Sequence, residues 1–172
     1  MATKRVLLTG ISGVGKSTVT AALAAHGIRA VDADSAEFSE WRDLTPELAA
    51  AAGSPVEADR DWVWQEDRIH ALLASNPDHA LIVSGCAANM GQFVPQFHHV
   101  VLLSAPADVI AKRLRTRTNN PYGKHPAELA RVLDLKESVE PLLRRIATHQ
   151  IDTSALLDDV VTAILRIIAP PK

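Results

Sequence analysis

A single cysteine, Cys86, stands in 172 residues, which excludes an internal disulfide and fits a reducing compartment. Aromatic residues make up only 4% of a chain that is 47% hydrophobic, so its core must rest on small aliphatic contacts, as in sheets covered by helices. Neither sign of charge dominates. A net charge of −2 leaves no overall electrostatic footprint for nucleic acid, so nucleic acid is not an expected partner. No apolar run reaches transmembrane length and no leader pattern is present, which gives the expectation of a cytoplasmic protein with no membrane partner. Internal repeats and low-complexity linkers are also lacking, and the length suits one domain over residues 1–172. Oligomeric state leaves no signal in the sequence.

What is present is concentrated at Gly10-Ile11-Ser12-Gly13-Val14-Gly15-Lys16-Ser17-Thr18, directly after the apolar run Val6-Leu7-Leu8. Strand, glycine-rich loop and helix start follow one another in the order that a phosphate-binding P-loop requires. Glycines at 10, 13 and 15 permit backbone angles that a Cβ resists, so successive N–H groups can converge on one anion. The helix beginning near Lys16 adds its unpaired N–H groups and positive dipole end. Lys16 is placed for the β- and γ-phosphates, Ser17 for Mg²⁺, and Thr18 for the α-phosphate side.

Along the chain, apolar runs at 4–9, 28–32, 80–84, 99–103 and 150–152 read as strands, with helices expected at 16–26, 61–75, 107–117 and 155–168. A long helical region starts near Pro126 and bends at Pro141. Alternation of this kind defines an α/β fold with parallel strands and right-handed crossovers. Residues 35–58 differ in composition, rich in Glu, Asp and Ala, with weak helical patterns around Phe38 and Trp41 and at 47–52. We take residues 34–60 as a substrate-covering insertion and the polar loop 117–126 as a lid.

A P-loop names the phosphate, not the reaction. The strand at 80–84 ends in Ser84, where many P-loop hydrolases place a metal-binding Asp. The carboxylates left for this work are Asp32 and Asp34, at the end of the second strand. Asp32 is assigned to Mg²⁺ with Ser17, and Asp34 to the acceptor hydroxyl as base or orienting acceptor. A rival reading of Asp34, followed three residues later by Glu37, is a helix N-cap. Lys112, Arg113, Arg115, Arg117 and Lys124 form a basic arm free of acid. Arg113 and Arg117, four apart, share a helix face and can supply cations to a transferring phosphoryl group. A solvated helix face is the rival there. Trp41, Trp62 and Trp64 either line a pocket or pack the insertion. Cys86 reads as a small buried thiol.

The P-loop, Asp32-Ala33-Asp34, Ala105-Pro106 followed by Arg113 and Arg117, and Ile151-Asp152-Thr153-Ser154 together resemble the shikimate kinase, gluconate kinase and adenylate kinase-like group of P-loop kinases. The resemblance implies a three-layer α/β/α fold with a five-stranded parallel sheet, ATP and Mg²⁺ as cofactors, and a small-molecule acceptor. It also implies that Arg113 lies against adenine, that Arg117 is the lid arginine, and that Thr153 and Ser154 border the base. Two departures matter. Shikimate kinases carry three glycines after the third strand, where this chain has Ser84-Gly85-Cys86. They also carry an arginine for the substrate carboxylate two residues before a Pro-Leu pair, and Pro141-Leu142 is here preceded by Val139 and Glu140. Both argue against shikimate itself, and the acidic stretch 34–67 favours a neutral or cationic hydroxyl compound.

The expected activity is that of an ATP-dependent small-molecule kinase acting on a sugar, polyol or similar metabolite. Catalysis is assigned to Lys16, Asp34 and Arg117. Nucleotide contacts are assigned to Gly10, Ser12, Gly13, Val14, Gly15, Lys16, Ser17, Thr18, Arg113, Thr153 and Ser154, and metal binding to Ser17 and Asp32. Nucleoside or nucleotide phosphorylation, and a nucleotide-binding switch or slow ATPase, are the alternatives.

Overall fold

The computed structural model describes residues 4–43, 56–57, 60–75 and 80–169. Strand β1 (Lys4–Thr9) runs through the P-loop into helix α1 (Lys16–Ala25), and β2 (Arg29–Asp32) follows. Next come β3 (Ser39–Asp43), β4 (Val56–Glu57) and β5 (Arg60–Trp64), then α2 (Glu66–Ala74) and β6 (Ala80–Ser84). A 3₁₀ segment (Met90–Gln96) leads to β7 (His99–Ser104), α3 (Ala107–Thr116), α4 (Pro126–Ser138), α5 (Glu140–Ile146), β8 (His149–Asp152) and α6 (Leu157–Ile168).

Five strands form a parallel sheet in the order β2-β6-β1-β7-β8. Their alternation serves two cores, because successive residues of a strand face opposite sides. Val6 and Leu8 pack with Val19, Leu23, Ile110, Leu114, Val160 and Ile164, so α1, α3 and α6 cover that face. Leu7 joins Ile69, Leu73, Phe93 and Leu143 on the other, under α2, the 3₁₀ segment and α5. This is the expected α/β layering.

The order of strands decides where a ligand can bind. From β1 the chain moves outward to β2, returns to β6, then crosses beyond β1 to β7 and β8. The direction of winding therefore switches beside β1. Ligands of open parallel sheets bind outside the carboxyl ends of strands at such a switch point, which is where the loop after β1 emerges. Residues following β2, β6 and β8 reach the same edge.

The chain between β2 and α2 differs from the helical expectation. Residues 33–38 form successive turns, and Ser39–Asp43 is a strand paired antiparallel to Arg60–Trp64, with Trp41 opposite Trp62. Together with β4 these make a separate three-stranded sheet. The helix expected over 61–75 begins only at Glu66. Trp62 and Trp64 belong to a strand because cross-strand partners exist for them, and pairing of that kind overrides local helical periodicity. The helical pattern at 47–52 and the stop signal at Asn76-Pro77 fall outside the described residues. The region starting at Pro126 is helical as expected and breaks at Val139, with Pro141 in the first turn of α5, a position that needs no N–H donor. Among the described residues no helix is long and apolar enough to cross a membrane.

Candidate active site

The loop between β1 and α1 is shaped by space as much as by flexibility. A Cβ on Gly10 would overlap the Leu103 carbonyl and come within 2.8 Å of Val14 Cγ2, and Gly15 has φ +100°, in the left-handed region. The first α1 bond runs from Val19 N to the Gly15 carbonyl at 3.0 Å. The N–H groups of Lys16, Ser17 and Thr18 therefore lie outside the helical ladder, at its positive end. Lys16 Nζ folds over the loop and donates to the carbonyls of Gly10 at 2.5 Å and Ile11 at 3.2 Å.

A cavity of about 680 Å³ opens on this loop and continues to Asp34, Trp41, Trp62 and Cys86. Ser12, Gly13, Val14, Gly15, Lys16, Ser17 and Thr18 line it, as do Asp32, Arg113, Arg117 and Thr153. Two of the expected contacts do not. Gly10 lies behind the loop against Leu103. Ser154 is exposed, its N–H donates to Asp152 Oδ1 at 2.8 Å, and the neighbouring Ala155 lines the cavity instead. The hydrogen bonds from Ser154 hold the Asp152 carboxyl below its ordinary range.

The carboxylates of Asp32 and Asp34 occupy one turn beyond β2, and no helix begins there for Asp34 to cap. Asp32 Oδ1 accepts from Asp34 N at 3.0 Å, and Ser17 Oγ donates to Asp32 Oδ2 at 3.5 Å. A hydroxyl beside a carboxylate is the hard oxygen donor set that Mg²⁺ takes, so the residues fit such an ion. The N–H groups at the start of α1, with Lys16 among them, fit a phosphate chain equally well.

Asp34 is held by groups from three places in the chain. Its Oδ1 accepts from Trp64 Nε1 at 3.0 Å, both carboxylate oxygens face Cys86 N at 3.1 and 3.2 Å, and its backbone carbonyl accepts from Trp62 Nε1 at 2.7 Å. Burial pushes its pKa above the ordinary value; the charge of Lys16 and the Trp64 hydrogen bond oppose that rise, and Asp32 adds to it. Burial likewise pushes the Cys86 thiol up, so it carries no reactive thiolate. Gly85 makes the arrangement possible, because a Cβ there would stand 2.6 Å from Asp34 Oδ1 and 2.8 Å from Trp64 Cζ2.

The three tryptophans divide. Trp64 is fully buried, its ring 5.8 Å from that of Phe93, whereas Trp41 and Trp62 face the cavity with ring centroids 5.1 Å apart. The support that Trp64 and Gly85 give to Asp34 was missed at the level of sequence. The alternation Trp62-Val63-Trp64, with two indoles on one side of a strand, is the signal that carried it.

Both arginines face the cavity, and both are tied. Arg113 Nη1 donates to Thr153 Oγ1 at 3.0 Å and to the Val14 carbonyl at 3.2 Å, while Nη2 donates to the Thr153 carbonyl at 2.5 Å. Thr153 Oγ1 donates to the Val14 carbonyl at 2.6 Å. This cluster fastens the P-loop to the turn after β8. Arg117 donates from Nε to the Asn120 carbonyl at 3.0 Å and from Nη2 to the Tyr122 carbonyl at 2.5 Å, so it folds the 117–124 loop around itself. Burial lowers its pKa, against the opposing influence of Tyr122 and Glu128.

A P-loop at the carboxyl edge of a parallel sheet, with a hydroxyl, a carboxylate and arginines around one cavity, defines a nucleotide-phosphate-binding protein of the P-loop class. The family profile described as an AAA domain matches residues 6–134. Shikimate kinase 2 of Yersinia enterocolitica is 28% identical over 183 residues, spanning 99% of this chain and 98% of that protein. Shikimate kinase of Caulobacter vibrioides is 30% identical over 153 residues, 85% of this chain and 72% of the relative. The solved structure of shikimate kinase from Acinetobacter baumannii in complex with shikimate superposes with a TM-score of 0.62 at 21% identity, covering 96% of this chain and 93% of that one, a likeness of fold. The chain belongs to the shikimate kinase family, within the shikimate and gluconate kinase group of P-loop kinases. It is an ATP-using phosphotransferase that phosphorylates a hydroxyl on a small molecule.

Proposed function

We propose that phosphoryl transfer takes place in this one cavity, with the nucleotide phosphates on the loop 10–18 and the acceptor hydroxyl at Asp34. The observation that carries the reading is continuity: a single cavity joins Lys16, Ser17 and Asp32 to Asp34 with no wall between them. ATP supplies the phosphoryl group. Lys16 exchanges the Gly10 and Ile11 carbonyls for phosphate oxygens, a move its long side chain allows without backbone change. Ser17 and Asp32 would hold Mg²⁺, which would neutralise phosphate charge. Asp34, held by Trp64 and the Cys86 N–H, orients the acceptor hydroxyl and, in its carboxylate form, takes its proton as the oxygen–phosphorus bond forms and the bond to the bridging oxygen breaks. Arg117 lies on the loop 117–126, which we take as the lid, and brings a cation to the transferring group. Arg113 fastens the nucleotide side, its fork committed to Thr153 and Val14, so that it meets a base through its planar face. Trp41 and Trp62 face the acceptor from β3 and β5.

The test is ADP release from Mg·ATP with and without pooled hydroxyl compounds, nucleosides and nucleoside monophosphates, using Lys16→Ala as the blank. Acceptor-dependent release in a non-nucleotide pool is the expected result. Release at one rate whatever is added would replace this reading with a slow ATPase.

A further inference from the structure

The acceptor half of the cavity carries a chemical signature of its own, and the inference drawn from it rests on the kinase reading above. Its polar anchor is Asp34, with Asp32 beside it; Trp41, Trp62, Asn119, Asn120 and Tyr122 line the same cavity. Those five side chains bear no charge at neutral pH. The described cations nearby are otherwise engaged. Arg42 pairs with Glu40 at 2.8 Å, and Arg68 donates to the Glu37 carbonyl at 2.7 Å. Arg60 stands over the Trp41 ring, 5.7 Å from its centroid, and does not line the cavity. The charge of Arg131 acts on Asp61 and on Tyr122. Of the cavity cations, Lys16 sits in the phosphate loop, Arg113 is bound to Thr153, and Arg117 holds the lid carbonyls. Residues 44–59 contain no Lys, Arg or His at all.

Among the described residues, an anionic group on the acceptor would therefore meet two carboxylates and guanidinium groups already engaged elsewhere. Glu140, beside the Pro141-Leu142 pair, is buried and clamped by Lys136 at 3.0 Å and Arg144 at 2.8 Å, facing Ser104. A cationic acceptor fares little better, since Lys16 adjoins Asp34 and the charge of Arg60 stands over Trp41. What remains suits an uncharged ring. Indole faces bind the C–H faces of such compounds, while side-chain amides and a carboxylate take their hydroxyls.

We infer that the acceptor is an uncharged polyhydroxy compound, sugar-like or cyclitol-like, bound against Trp62 and Trp41 with its reacting hydroxyl on Asp34. The placement of Trp62 is firm, because its Nε1 is spent on the Asp34 carbonyl. The ring is thereby held at a fixed position relative to the base, which makes Trp62 a specificity-determining residue as well as a support.

The experiment compares matched acceptors with full-length protein and Mg·ATP: glucose, glucosamine and glucuronate; sorbitol and gluconate; inositol, quinate and shikimate; and glucose 6-phosphate. The proposal expects turnover in a neutral member, with kcat/KM about 100-fold above its acidic counterpart, the scale set by juxtaposed like charges. Trp41→Leu, which keeps an apolar strand residue at an exposed position, should raise KM for that acceptor about tenfold and leave KM for ATP unchanged. Equal or better turnover of a carboxylate, phosphate or amine member overturns the uncharged class and leaves the kinase reading standing. No turnover of any member by protein that binds Mg·ATP overturns both.

Discussion

The two ends of the cavity are built by different means. At the phosphate end the working groups are backbone N–H groups at the start of α1, supplied by consecutive residues, with Lys16 and Ser17 in the same short run. At the acceptor end they are side chains drawn together from far apart. Asp34 meets Trp64 across 30 positions of sequence and the N–H of Cys86 across 52. A site made from contiguous backbone tolerates no rearrangement, since its geometry is the local conformation itself. A site made from distant side chains is set by how a small antiparallel sheet docks beside a parallel one, and that docking is free to vary while the phosphate end stays constant. The difference suggests where specificity resides in this protein.

Substitutions at the two ends should separate accordingly. The largest effect belongs to Lys16→Ala, which removes the one cation inside the phosphate loop; kcat/KM should fall about 1,000-fold or more, for every acceptor alike, in a steady-state ADP assay. Next comes Asp34→Asn. Turnover should drop about 100-fold while KM for ATP stays within about threefold, as expected of a group that acts on the acceptor alone. Wild-type turnover in that variant would remove Asp34 from its assigned role.

Asp34→Asn also tests the electrostatics. Because burial raises the folded-state pKa of Asp34, the folded chain holds a proton that the unfolded chain has already released in the window between the two values. Stability contributed by this group is present below the ordinary aspartate value and is lost as pH rises through the raised one. Urea midpoints across that window should fall in the wild type and flatten in Asp34→Asn.

Trp64→Phe sharpens the comparison more finely. It keeps an aromatic ring against Phe93 and loses only the hydrogen bond to Asp34 Oδ1, which favours the ionised carboxylate. Turnover should fall about tenfold, the size of one charge-assisted hydrogen bond. The acidic limb of the pH–rate profile should move to higher pH, an effect that a packing defect alone does not produce. The smallest change is expected at the other end. Thr153→Val deletes the hydroxyl shared by Arg113 and the Val14 carbonyl, and KM for ATP should rise about fivefold with no change in KM for the acceptor.

Legibility in the sequence follows the same division. The alternating strands and helices around residues 4–32 and 80–168 were readable because each element carries its own period and its own stop, such as Gly27 after α1 with φ +78°. The pair Asp32 and Asp34 was readable as a candidate from the end of an apolar strand near the P-loop. Residues 39–43 and 60–64 were not. Phe38, Trp41, Trp62 and Ile69 suggest helical spacing, and only the partnership of Trp41 with Trp62 in β3 and β5 makes strands of them. Arg113 and Arg117 line the cavity, yet their present partners are backbone carbonyls and a threonine that no spacing rule connects to them.

By itself the sequence determined a P-loop after β1, since three glycines, a lysine and a serine in one run dictate a local backbone that no distant contact has to supply. It determined the parallel α/β layering for the same reason, through periodicities of 2 and 3.6 that each segment expresses alone. Tertiary structure alone decided that Trp64, Cys86 and Gly85 converge on Asp34, and that Trp41 and Trp62 face the cavity while Trp64 is enclosed. The physical cause is the strand order β2-β6-β1, which sets the end of β2 beside the end of β6 and lets a second sheet close over both. Hydrogen bonds and burial created by that juxtaposition have no counterpart in the chain before it folds.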